Sequence, residues 1–165
     1  VTDTLLPRKL VELARLVVDE NKAAGRTVAV AESCTGGLVC AALTEIAGSS
    51  AVLDRGFVTY SNEAKQKLLD VPADIIDAFG AVSVACVYAM AQGALKLSDA
   101  DVAVAISGIA GPDGGSEQRP VGTVVFARSL REQETPDAEE RHFKDSGRGG
   151  VRLQAALVAL ELLRP

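Results

Sequence analysis

From Thr4 onward the apolar residues return at helical spacing. Leu5, Leu10, Val11, Leu13, Ala14, Leu16, Val17 and Val18 alternate with charged groups, which predicts an amphipathic helix over residues 4–22 that stops at Gly25. The period then shortens. Residues 27–31 (TVAVA) predict a strand, and Thr35-Gly36-Gly37 opens an Ala/Leu-rich helix running to about Gly48, with Ser33 in the turn between them. A second strand is expected over 57–60, with Ser61 and Asn62 as N-caps of a helix to about Leu69, after which Pro72 interrupts regular structure. Residues 83–97 predict a mostly buried helix. The near-continuous apolar run 101–107 (DVAVAIS) predicts a strand covered on both faces. Residues 108–122 hold five glycines and two prolines and predict a long loop, followed by strands over 124–128 and 139–143 and a closing amphipathic helix over 151–163. This alternation predicts a three-layer α/β/α domain with a mostly parallel or mixed sheet, and leaves the order of its strands open.

Composition narrows what such a domain does. A length of 165 residues favours a single domain over 1–165. The net charge of −5, with no basic stretch, argues against nucleic-acid binding, and the longest apolar runs fall short of the ~18 residues that suggest a membrane span. The first ten residues carry no secretory signal, so a cytoplasmic location is expected. One histidine (His142) and three cysteines (Cys34, Cys40, Cys86) without a C-x-x-C spacing do not supply a closed four-ligand zinc shell, and no metal or cofactor is expected. Any Ser-His-Asp chemistry would have to use His142, which reads better as a half-buried strand residue. A hydrolase built on this chain needs another general base.

Four segments carry candidate chemistry. In Ala31-Glu32-Ser33-Cys34-Thr35-Gly36-Gly37, a serine at the end of a strand and ahead of a glycine turn lies near free backbone N–H groups; it is either a nucleophile beside an oxyanion or phosphate site, or a helix cap. Cys34 is the rival nucleophile, or a small buried residue. In Thr59-Tyr60-Ser61-Asn62-Glu63-Ala64-Lys65, the tips of Tyr60 and Lys65 can reach the sheet edge that carries Ser33, although an edge aromatic and a solvated lysine fit the same spacing; Lys67 lies further along. A lysine acts as a base near neutrality only if burial or nearby positive charge lowers its pKa from about 10.4. In the glycine loop, Ser107, Gly108 and Gly111 bring hydroxyl and backbone groups towards a ligand, with Thr123 behind them, yet the segment matches neither the dinucleotide fingerprint nor the P-loop. Arg148, in SGRGGVR ahead of the last helix, is either an anion ligand or simply a surface residue.

Taken together, AESCTGG at 31–37, YSNEAK at 60–65, SGIAGPDGG at 107–115, PVGT at 120–123 and the closing arginine-helix segment resemble the CinA C-terminal domain family, which includes nicotinamide mononucleotide amidohydrolases. The resemblance runs from about residue 5 to the C-terminus and looks like the stand-alone form, without the additional N-terminal domain of some relatives. It implies hydrolysis of the carboxamide of nicotinamide mononucleotide to nicotinate mononucleotide and ammonia, in pyridine-nucleotide recycling. Carried over by motif, Ser33 is the nucleophile and Tyr60 and Lys65 its activating partners, with Thr35, Gly36, Gly37, Ser107, Gly108, Gly111 and Arg148 around the substrate. The closing segment departs from the family pattern, because Gly147 stands where an acidic residue more often precedes the arginine. Two other readings of the same fold are a non-catalytic nucleotide-binding or regulatory module and a partner-interaction domain. The expected partner is a small nucleotide, with no nucleic acid and no membrane, and the Ala-rich helix over 83–97 offers a surface for a homo-oligomer.

Overall fold

Period-2 alternation in two short strands organises the molecule. In the computed structural model, which describes residues 3–165, the chain runs α1 (Arg8–Ala23), β1 (Val28–Glu32), α2 (Leu38–Thr44), a 3-10 turn (Ser49–Ala51), β2 (Leu53–Val58), α3 (Asn62–Leu69), α4 (Ala73–Phe79), α5 (Val84–Lys96), β3 (Val102–Gly108), β4 (Thr123–Leu130), β5 (Asp137–His142) and α6 (Gly147–Leu162). The five strands form one mixed sheet in the order β2-β1-β3-β4-β5, with β1 parallel to both β2 and β3, and β4 antiparallel to both β3 and β5. In β1 and β3 the branched residues Val28, Val30, Val102, Val104 and Ile106 face one core with α1, α2 and α6. The intervening alanines Ala29, Ala31, Ala103 and Ala105 face the other core, with α5. Both faces are therefore covered, as the continuous apolar strands require.

Small residues on the second face let α5 approach closely. A Cβ added at Gly93 would collide with the backbone carbonyl of Leu69 at the end of α3, and the Leu69 Cα would lie only 3.2 Å away. Backbone cannot be displaced as a flexible side chain can, so Gly93→Ala is expected to lower stability by about 2–3 kcal/mol, the upper part of the overpacking range. Urea unfolding checks this: the midpoint should fall with little change in slope.

Several boundaries differ from the pattern-based expectation. Helix α1 begins after Pro7, not at Thr4, because proline is accommodated ahead of a first turn but not inside a helix. Strand β2 lies at 53–58, earlier than the expected 57–60, so Thr59 and Tyr60 follow the strand rather than end it. Helix α2 starts at Leu38 and closes at Thr44, since Gly36 and Gly37 sit at φ +60° and +99° and cannot continue a right-handed helix. Pro72 does not merely interrupt structure: it precedes α4 with φ −60°, ready for a first turn. Helix α6 begins four residues before the expected Val151.

The topology places the loops of interest together. The chain leaves β1 towards β2 on one side and β3 on the other, so a crevice opens beyond the C-terminal end of β1, where Glu32 stands level with Val58 and Ile106. No helix among the described residues is long and apolar enough to cross a membrane.

Candidate active site

Ser33 leaves β1 at this switch point, anchored by its N–H on the carbonyl of Ile106 at 3.0 Å. The lysine that meets it comes from α3, whose start is set by Ser61: its side chain accepts the N–H of Ala64 at 3.0 Å. One turn in, Lys65 points inward and is only 1% exposed. Its Nζ lies 3.0 Å from Ser33 Oγ, 2.8 Å from the carbonyl oxygen of Thr59 and 3.1 Å from that of Tyr60. Among the described residues no carboxylate pairs with it. Burial without a counter-charge lowers the Lys65 pKa from its ordinary value. Three oxygens thus surround Nζ; once deprotonated, the amine keeps two N–H bonds for the two carbonyls and turns its lone pair to the serine hydroxyl.

Glu32, immediately before the serine, is fully buried and has no cationic partner among the described residues. One carboxylate oxygen accepts from Thr35 Oγ1 (2.6 Å), Gly37 N–H (3.2 Å) and Val39 N–H (3.0 Å), and the other from Cys40 N–H (3.1 Å). These are the orphan donors at the start of α2, so the carboxylate caps that helix from inside the fold. The Gly36 N–H goes to Ser33 O at 3.0 Å. The amides of Cys34 and Thr35 have no acceptor among the described residues. Free donors at the turn are thus Cys34 and Thr35 N–H, whereas the amides of Gly36 and Gly37 and the Thr35 hydroxyl are occupied.

The remaining expected residues gather around the same edge. Arg148, in the first turn of α6, donates to Gly111 O at 2.7 Å and to the Tyr60 hydroxyl at 3.2 Å, tying three of the sequence segments together. Gly147, where the acidic residue is missing, has φ +67°, a backbone region that favours glycine. Tyr60 is 61% exposed; its carbonyl reaches Lys65, but its hydroxyl goes to Arg148 and not to Ser33. Ser107 is buried at the end of β3, and Gly108 packs so closely on Cys34 that an added Cβ would lie 3.0 Å from its sulfur. Burial pushes the Cys34 thiol up to about 11, so it stays protonated and is a poor nucleophile at neutral pH. His142 is on β5, hydrogen-bonded to Thr123 Oγ1 (3.3 Å) and Glu140 (3.0 Å), and touches neither Ser33 nor Lys65. Lys67 is exposed in the last turn of α3.

Two site residues went unnoticed in the sequence. Glu32 had a readable signal, an acid closing an otherwise apolar strand. Arg152 had a weaker one, lying four residues after Arg148 and so on the same helix face. Its Nε and Nη2 donate to the carbonyls of Cys34 (3.0 Å) and Thr35 (3.2 Å). A surface cavity of about 800 Å³ lies elsewhere, against the outer side of α5 near Tyr88, Gln92 and Arg131. Among the described residues no three His, Cys, Asp or Glu side chains converge as metal ligands.

Residues 10–165 match the model of the CinA C-terminal domain. The chain is 52% identical over 155 residues to the nicotinamide-nucleotide amidohydrolase PncC of Escherichia coli strain K12, covering 94% of this chain and 93% of that protein. It is 50% identical over 154 residues to the protein of the same name from Enterobacter agglomerans, covering 93% of each. In three dimensions it is similar to the competence/damage inducible protein CihA of Agrobacterium tumefaciens, with a TM-score of 0.93, 49% identity, and coverage of 97% of this chain and 96% of that one.

Proposed function

The chain belongs to the CinA C-terminal domain family, and from that premise we propose that it hydrolyses the carboxamide of nicotinamide mononucleotide to nicotinate mononucleotide and ammonia, a step of pyridine-nucleotide recycling. The observation that carries this reading is the buried Lys65 amine 3.0 Å from Ser33 Oγ. In this mechanism neutral Lys65 takes the Ser33 proton as Oγ attacks the amide carbon. The free amides of Cys34 and Thr35 receive the oxyanion, and the Lys65 ammonium then protonates the departing nitrogen. Ammonia leaves an acyl-enzyme on Ser33. Lys65 next deprotonates a water that attacks the ester, and collapse of the second tetrahedral intermediate returns the proton to Ser33 and releases the nicotinate carboxylate. The atoms balance as amide plus water giving carboxylate plus ammonium. Tyr60 serves through its carbonyl, which fixes Lys65, and through its hydroxyl, which braces Arg148 at the mouth. Arg148 has guanidinium donors left over after Gly111 and Tyr60 and is the proposed ligand of the substrate phosphate.

Ammonia release measured across nicotinamide, nicotinamide riboside and nicotinamide mononucleotide tests the reading. The mononucleotide should be preferred, and Arg148→Ala should raise KM for it about tenfold while leaving the riboside unchanged, the loss expected for one charged hydrogen bond. No ammonia from the mononucleotide with the wild-type protein, or equal rates for wild type and Ser33→Ala, would overturn it.

A further inference from the structure

Arg152 directs its guanidinium not at a carboxylate but at two consecutive main-chain carbonyls, those of Cys34 and Thr35, at 3.0 and 3.2 Å. Ser33 O accepts the Gly36 N–H at 3.0 Å, so residues 33–36 form a β-turn whose central peptide joins Cys34 to Thr35. That closing hydrogen bond does not by itself set the central peptide, because type I and type II turns share it and differ by a flip of this one plane. The peptide is trans, so its C=O and N–H point in opposite directions. Holding the Cys34 oxygen on α6 therefore turns the Thr35 N–H away from α6, and this N–H has no acceptor among the described residues. Thr35 already disfavours the flipped form, which demands positive φ at a β-branched residue, and the guanidinium supplies the remaining restraint. Gly36 belongs to the same arrangement: a Cβ there would sit 3.5 Å from Arg152 Nη2, at a φ of +60°.

We propose that Arg152 is a positioning residue for the hydrolysis, aiming the Thr35 N–H at the oxyanion by fixing the Cys34–Thr35 peptide plane. The inference rests on the amidohydrolase reading above and adds to it a residue that touches no substrate. Loss of Arg152 leaves the Ser33–Lys65 pair in place but lets the donor wander. The expected fall in kcat for Arg152→Ala is about 30-fold, less than the 10²–10³ lost when an oxyanion donor is removed outright, with KM changed by less than about threefold.

A purely structural role would slow every substrate alike, so the decisive comparison is between nicotinamide mononucleotide and its thioamide analogue. Oxyanion donors placed for oxygen discriminate against the longer, more weakly accepting C–S group. The ratio of kcat/KM for amide to thioamide should therefore narrow about tenfold in Arg152→Ala relative to wild type. Arg152→Lys, which keeps a donor but loses the two-point grip, should fall between them, and it supplies the measurement if the alanine variant does not fold by circular dichroism. Wild-type turnover with an unchanged ratio in the variants overturns this proposal alone. No wild-type turnover of the amide overturns it together with the reading it rests on.

Discussion

Lys65→Met is expected to lower kcat by about 10⁴-fold or more while the protein stays folded, the scale seen when one member of a nucleophile–base unit is lost. Methionine matches the length of the buried stem and removes only the group that faces Ser33 Oγ, Thr59 O and Tyr60 O. Ser33→Ala should cost about as much, and the double variant little more than either alone, because residues acting as a unit give non-additive losses. A double variant slower by the product of the two single losses would mean that Ser33 and Lys65 work separately. The pH dependence follows from the same burial. Below its lowered pKa Lys65 is an ammonium that donates all its protons and cannot accept one from Ser33, so kcat/KM should rise with pH through that value and then level off. The residual activity of Lys65→Met should lack this limb. Stability carries the matching sign: the folded state releases this proton at lower pH than the unfolded chain, whose value is about 10.4, so between the two pKa values stability increases with pH, and that gain is lost as pH falls through the folded one.

Glu32→Ala should be the most destabilising single change at the site. Its carboxylate holds Gly37, Val39 and Cys40 N–H and the Thr35 hydroxyl inside the fold, and alanine leaves all four without their acceptor. At about 1–3 kcal/mol for each unsatisfied buried group, less the desolvation cost of the carboxylate that is no longer buried, a net loss of about 4 kcal/mol is expected. That is a large fraction of the ~5–15 kcal/mol that holds a typical domain together. Glu32→Gln keeps one acceptor oxygen and should fall between wild type and alanine. A loss below about 1 kcal/mol for Glu32→Ala in urea unfolding would show that water replaces the carboxylate at these amides, and that the turn does not depend on it.

Much of this architecture is legible in the one-dimensional pattern. The alternation VAVA and VAVAI marks β1 and β3 as strands with two different faces, and the cap Ser61 marks the start of α3. Ser61 accepts a hydrogen bond three residues on, from Ala64, so this signal is local and survives whatever the rest of the chain does. Boundaries controlled by neighbours were less legible. β2 begins four residues before its expected start because its pairing with β1, Leu53 beside Val28, decides its length more than its own β propensity does. The expected helix at Thr35 yields to the Glu32 side chain, which captures the amides of that turn from the preceding strand.

The sequence by itself determined the layered α/β class, the start of α3, the family resemblance, and a serine turn and a downstream lysine as candidate chemistry. The elements and motifs behind these are each read over residues a few positions apart, where spacing and stereochemistry suffice. Only the tertiary structure decided the strand order, the burial of Lys65 against Ser33, the turning of Tyr60 towards Arg148, and the grip of Arg152 on a turn 117 and 118 residues away along the chain. A lysine becomes a base here because packing removes it from water and leaves it no counter-charge, and an amide becomes a free donor because others are already occupied. Desolvation and the allocation of hydrogen-bond partners are properties of the assembled chain, and no local window of residues contains them.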